Sequence, residues 1–207
     1  MKSYKKRIIR KYGTDVRVQR YREDLNITES TTKALTGMAS RTKTNMKDVE
    51  SKKEGIFTPE FDIDGGDIVF DDNTSESFVV SAVHSETDGN KTLSKVSTMM
   101  KCNSDLSVQG YIQTADDRGN LITEFADKYS DIPCFLEQIS NELKQYDSGL
   151  HPETEFKIYT SAALKVEEID KAQIDLQGNV EDFKIVAIDY MTFPNMLVLQ
   201  VCRDVRE

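Results

Sequence analysis

Apolar and polar residues alternate with period two over most of the chain, and short clusters of Asp, Asn and Gly interrupt the alternation. In Thr14–Tyr21, Val16 and Val18 face one way and Arg17 and Gln19 the other, which predicts a half-buried strand. The period is different just before it. From Ser3 to Tyr12 the spacing places Tyr4, Ile8, Ile9 and Tyr12 on one helical face, ringed by Lys and Arg, and Gly13 stands where a helix C-cap tolerates positive φ. Alternating runs resume from Ile56 to about Ile122, with turn residues at Gly65-Gly66, Asp71-Asp72-Asn73, Asp88-Gly89-Asn90 and Asp117-Arg118-Gly119-Asn120. Turns at that spacing fit a small barrel or sandwich.

A pattern in Ile63–Cys102 recurs in Ile169–Arg206. Ile68-Val69-Phe70 stands beside Ile174-Asp175-Leu176, with a later turn one residue shorter; Phe78–Val83 stands beside Phe183–Ile188, and Lys95–Cys102 beside Leu197–Arg203. Two readings of the recurrence stay open. It is either a duplicated barrel unit or chance agreement between two β-rich regions, which short alternating strands permit.

Between the strands lie two segments of other character. Residues 27–55 have no aromatic residue and are rich in Thr, Ser, Lys, Glu and Asp, so a long polar loop is expected there, too poor in apolar area to offset its ordering entropy. Asp131 is placed to cap a helix with Pro133 in its first turn and Phe135, Leu136, Ile139, Leu143 and Tyr146 at helical spacing. Glu155–Ile169 is ambiguous between strand and helix, and the final strand is expected to dock. The predicted fold is mainly β (α+β): two small SH3/OB-like β-barrel units, a basic N-terminal helix, a long loop and an inserted helix. The expected divisions are 1–125, 126–150 for the connecting helix, and 151–207.

Composition narrows the function. With 38% hydrophobic and 30% charged residues and no apolar run of the roughly 18 residues a membrane helix needs, no membrane partner is expected. The basic start lacks the apolar core of a secretory signal. Three cysteines without C-x-x-C spacing argue against a disulfide framework and for a reducing compartment.

Signatures of chemistry are wanting. His84 and His151 have no nucleophile motif beside them, and the surface is the ordinary place for each. Asp62-Ile63-Asp64-Gly65-Gly66-Asp67 superficially resembles a calcium loop, but Gly66 and Asp67 occupy positions where an EF-hand wants Asp or Asn and then Gly, so it reads as an acidic turn. Phosphate-cradling and dinucleotide fingerprints are missing too. No catalytic residue, metal or cofactor is assigned, and an enzyme is not expected.

Charge is polarised. Residues 1–22 hold nine Lys or Arg against one acid, a balance of +8 in a chain of net -9, which leaves -17 for the rest. Lys5, Lys6, Arg7, Arg10, Lys11, Arg17, Arg20 and Arg22 therefore form a candidate docking arm. Such an arm suits nucleic-acid phosphates, an acidic neighbouring subunit, or plain solvent.

The basic helix, the Tyr12-Gly13-Thr14-Asp15-Val16-Arg17-Val18 strand, the polar excursion, and the pair Asp67-Ile68-Val69-Phe70 and Phe78–Val83 together resemble head-closure (stopper) and related neck proteins of tailed bacteriophages. Ile174–Leu176, Phe183–Ile188 and Arg203–Arg206 carry the likeness again, and Arg203, Asp204 and Arg206 become a candidate interface edge. The chain departs from the single-barrel pattern in its length and doubling. The resemblance implies a structural virion protein, assembled in the host cytoplasm as a homo-oligomeric ring of six or twelve copies. Its partners would be portal or adaptor and tail proteins, with non-specific DNA contact in the channel. The alternative is a cytoplasmic nucleic-acid-binding OB-like module using the basic arm.

Overall fold

The computed structural model describes residues 2–21, 27–38, 51–115, 121–176 and 178–204. Within them the chain forms two units: Met1–Cys102 with Ser161–Leu164 and Tyr190–Met196, and Asn103–Thr160 with Lys165–Asp189 and Leu197–Glu207. The division falls at Cys102, earlier than the 125 expected, because the strand that follows opens the second barrel. Residues 126–150 accordingly belong to that barrel and do not form a connector.

The first unit begins with helix α1 (Lys2–Tyr12), which buries Ile9. Six strands follow: β1 (Thr14–Tyr21), β2 (Ile27–Met38), β3 (Lys52–Phe57), β4 (Ile68–Asp71), β5 (Glu76–Asp88) and β6 (Lys91–Lys101). They close into a barrel in the order β1-β2-β3-β6-β5-β4. Inside pack Val16, Val18, Ala34, Phe57, Ile63, Val69, Phe78, Val80 and Met99. The link from α1 to β1 needs glycine at position 13 for space. A Cβ there would sit 2.4 Å from the Ile9 carbonyl oxygen, whereas its φ lies outside the left-handed region, contrary to expectation. At Gly66 both reasons hold, with φ +79° and only 2.0 Å between a Cβ and the Asn195 carbonyl oxygen.

Strand β2 corrects the expected loop over 27–55. Its Thr-rich run pairs with β1 from Thr14↔Ala34 to Tyr21↔Ile27 and with β3 from Leu35↔Ile56 to Met38↔Lys53. Only Ala34 is fully buried among its residues whose burial is described, so backbone ladders and the β-propensity of threonine hold the strand with little apolar contribution. Residues 39–50 of the expected loop lie outside the described residues.

The second unit repeats the plan. It contains β7 (Ser104–Ala115), β8 (Leu121–Gln138), helix α2 (Asn141–Tyr146), β9 (Phe156–Ser161), β10 (Lys171–Leu176), β11 (Asn179–Asp189) and β12 (Met196–Arg203), closed in the order β7-β8-β9-β12-β11-β10. Strand for strand this is the topology of the first barrel. The ladders agree as well. Val18 pairs with Val69, Val69 with Phe78 and Phe78 with Lys101; Val108 pairs with Ala172, Ala172 with Phe183 and Phe183 with Arg203. Bulges fall at equivalent places, between Val80 and Ala82 and between Ile185 and Ala187. The recurrence is thus structural. Register shifts one detail: Val69 corresponds to Ala172, so Ile68 corresponds to Lys171 and not to Ile174. The later hairpin is consequently two residues longer between equivalent positions, not one shorter.

The clearest sequence trace of the duplication lies in the opening strands. Thr14-Asp15-Val16-Arg17-Val18-Gln19-Arg20-Tyr21 aligns with Ser104-Asp105-Leu106-Ser107-Val108-Gln109-Gly110-Tyr111, with Asp, Val, Gln and Tyr shared.

The expected inserted helix from Asp131 is mostly strand. Tyr129, Ile132 and Cys134 point into the second barrel from β8, and Asp131 adopts φ +54° beside a register shift, with its N–H bonded to Ser107 Oγ at 3.1 Å. Six residues, Asn141–Tyr146, remain helical, capped by Ser140, whose Oγ accepts from Leu143 N–H. Strand β12 is buried on both sides, as expected of a docked strand. Gln200 on it accepts from His151 N–H and Thr154 Oγ1, each at 2.8 Å, and donates to the Gly149 carbonyl at 2.9 Å.

A buried carboxylate precedes the fourth strand of each barrel. Asp67, 2% exposed, accepts Arg20 Nε and Nη2 at 2.8 Å each and the Asp64 N–H at 2.8 Å. Asp170, also 2% exposed, accepts Lys128 Nζ at 2.9 Å, the Glu167 N–H at 2.9 Å and the Tyr111 N–H at 3.4 Å. Where the first barrel has Arg20 the second has Gly110, and a Cβ on Gly110 would meet Lys128 Cδ at 3.3 Å. The cation has moved to the neighbouring strand, and the missing side chain makes room for it. Removing either carboxylate takes the acceptor from a turn N–H, and leaves Lys128 without Asp170 or Arg20 with only the exposed Asp62, so Asp67→Ala and Asp170→Ala are each expected to lose about 2–4 kcal/mol in urea unfolding, against less than about 0.5 kcal/mol for the exposed control Asp88→Ala.

Candidate interaction surfaces

The eight basic side chains of the N-terminal arm divide by what they touch. Lys5 pairs with Glu86, and Lys6 Nζ lies 2.9 Å from Glu60. Arg17 reaches Asp72 at 2.8 Å and lies over the Phe70 ring, while Arg20 holds Asp67 and, at 2.7 Å, Asp62. These four fasten α1 and β1 to their own barrel. Arg7, Arg10 and Lys11 are exposed and make no ion pair with the described residues; Arg22 lies outside those residues. The outer face of α1 therefore presents Arg7, Arg10 and Lys11 with Tyr4, while the Lys11 ammonium lies 5.0 Å from the centre of the exposed Tyr12 ring. Sequence alone could not separate the two groups, because the acids that occupy the first four are 42 to 81 positions away.

The C-terminal candidates are less available. Arg203 is exposed but lies 3.3 Å from Glu181 and 3.9 Å from Glu155. The Asp204 carboxylate is buried, 3.9 Å from Lys171, and its N–H donates to Asp182 as that of Cys102 does to Ser77. Burial removes Asp204 from the expected interface edge, and Arg206 lies outside the described residues.

A surface that sequence reading passed over is the outer part of the β7–β8 hairpin. Register places Ile112 opposite Glu124 and Thr114 opposite Ile122 on one face, and Tyr111 opposite Phe125 and Ala115 opposite Leu121 on the other. Ile112, Leu121, Ile122 and Phe125 are all exposed, Leu121 at 72%. Tyr111 and Phe125 meet edge to face at 5.8 Å, and Lys171 Nζ lies 4.9 Å from the Phe125 ring centre. Apolar side chains on both faces of one ribbon were the available signal; the predicted barrel and helix boundaries hid it by cutting β8 in two.

Among the described residues, other chemistry finds no assembled site. His84 and His151 are exposed, and Cys102, Cys134 and Cys202 form no disulfide, the last two being buried. Among the described residues no group of three or more His, Cys, Asp or Glu is arranged to hold a metal. The Asp62–Asp67 stretch is occupied instead with turn hydrogen bonds and Arg20.

No protein-family model matches the chain, and no curated protein matches it. Among solved structures, protein SF1141 from Shigella flexneri 2a shares 12% identity over 51% of this chain and 96% of its own, with a TM-score of 0.41. MrkH from K. pneumonia in its apo state shares 9% identity over 99% of this chain and 85% of its own, with a TM-score of 0.23. Its c-di-GMP complex gives 9%, 100%, 88% and 0.21. Scores this low carry no argument about fold or function.

Electrostatics clamps three adjacent strands of the first barrel, β3, β6 and β5. Glu76 on β5 receives Lys101 of β6 at 2.6 Å and Lys53 of β3 at 2.5 Å, and these bonds bring its carboxyl down to about 2. A carboxyl depressed in the folded state contributes stability above its unfolded value near 4.5, and that contribution fades as pH falls toward 2. Glu76→Gln should therefore lose about 1 kcal/mol at pH 7, and its deficit against wild type should shrink between pH 4.5 and 2 in denaturant titrations.

Proposed function

We propose that the protein is a structural component of the head-to-tail connector, or neck, of a tailed bacteriophage. In this reading it is a ring subunit that joins portal or adaptor to tail and helps retain DNA in the virion. The observation that carries the proposal is the two-sided exposure of apolar side chains on the β7–β8 hairpin, which water disfavours and a multi-copy assembly would cover. The duplicated barrels agree with it. Closed barrels have no free sheet edge, so neighbours are joined through projecting arms and side chains and not through added strands. The sequence likeness to neck proteins supplies the place of assembly. Such a subunit performs no reaction, and binding geometry is its whole mechanism.

Native mass spectrometry and negative-stain imaging, with the purified chain alone and with portal particles, test this reading. Closed rings or decorated portal particles are expected. A monomer that binds neither itself nor portal, tail or virion components overturns it.

A second reading, a nucleic-acid-binding module, is favoured by the uncommitted Arg7, Arg10 and Lys11 beside Tyr4. Three phosphate contacts would give a salt slope near -2.7 and about a 40-fold loss of affinity between 50 and 200 mM salt. Fluorescence anisotropy with duplex DNA separates the readings: that slope, abolished in Arg7→Ala/Arg10→Ala/Lys11→Ala, favours the module. Weak binding that the triple variant leaves unaltered favours the connector.

A further inference from the structure

We infer that the β7–β8 hairpin of one copy docks on the outer face of α1 in a second copy of this chain; the inference rests on the connector reading and names its subunit contact. Among the described residues, each surface is exposed. On the hairpin, Ile112 and Ile122 are exposed on one face with Glu124, and Leu121 on the other face with Asp127, which accepts from Gln109 Nε2 at 3.1 Å; on α1, Arg7, Arg10 and Lys11 are exposed beside Tyr4.

Charge selects the occupant. Lys2–Tyr12 carries six basic residues and no acid, whereas Ser104–Gln138 carries seven acids against two basic residues. Apolar side chains provide the contact area, and the opposed charges set partner and register. Two copies of the hairpin would repel each other, as would two copies of the helix, so a symmetric contact of like patches is disfavoured. A contact between two different patches is heterologous, and repetition of a heterologous contact generates a ring wherever its rotation closes. The charge polarity of the chain thereby acquires a direction, from one subunit's acidic arm to the next subunit's basic helix.

The four basic residues engaged within the first unit sharpen the assignment. Lys5, Lys6, Arg17 and Arg20 hold α1 and β1 in place, so the remaining three are displayed from a fixed helix. A preorganised face loses little freedom on docking.

Charge exchange in the full chain tests the contact. One variant carries Glu124→Lys and Asp127→Lys, the other Arg7→Glu, Arg10→Glu and Lys11→Glu. Circular dichroism melts establish that both are folded, and analytical ultracentrifugation reads association. Wild type should assemble, each variant alone should associate at least about 10-fold more weakly, and an equimolar mixture should recover assembly through the swapped pair. The single variant Leu121→Asp, at the most exposed apolar position of the hairpin, should weaken assembly as well and guards against misfolding of the multiple variants.

Assembly by wild type that neither variant alters, or loss in the variants without recovery on mixing, overturns this contact and leaves the connector reading standing. A monomeric wild type that still binds portal particles does the same. A monomeric wild type that binds no portal or tail component overturns both.

Discussion

Each barrel depends on a carboxylate withdrawn from water at the entrance to its fourth strand. Asp67 and Asp170 tie a turn N–H three residues earlier to a cation, on the first strand of one barrel and the second strand of the other, and the ladder to the first strand begins immediately afterwards. A buried charge is tolerated only when its lone pairs are occupied. The requirement fixes where β4 and β10 start, and with them the registers that carry Val69 and Ala172 inward. The cation came from a different strand in each copy, Arg20 in one and Lys128 in the other. Carboxylate burial is thus retained while the source of the compensating charge varies.

Fixing the barrels internally leaves a distinct set of residues for outside use. Ion pairs consume Lys5, Lys6, Arg17 and Arg20, and Glu76 is consumed by Lys53 and Lys101. The exposed residue of that accounting is a basic helix face and an acidic, apolar hairpin. Both project from closed barrels, whose backbone groups are already paired with each other. That inventory supports the proposed assembly role.

Legibility varied with the range of the determining interaction. Helix α1 and strand β1 were readable because their periods are local and strong, and the strand triplets around Val69, Phe78 and Met99 were readable as a pattern recurring near Ala172, Phe183 and Val201. Strand β2 was not. Its Thr and Ser side chains bury little, and its place is set by ladders to β1 and β3 that no window of its own sequence contains. The Asp131–Tyr146 region misled for another reason. Its apolar residues satisfy a helical spacing and a bulged strand equally, and pairing with β7 decided for the strand up to Gln138.

The mainly β character and the separation of positive from negative charge were set by sequence alone, and a doubling of small barrels was one of two readings it offered, because alternation, turn residues and net charge are properties of short stretches or of sums over them. Only the tertiary structure decided which charges are spent. It also decided that the second barrel begins at Asn103, that Ile68 corresponds to Lys171, and that one hairpin carries apolar side chains on both faces into solvent. Those outcomes depend on partners far apart in the chain, brought together when six strands close around a core, and no local pattern encodes such a distance.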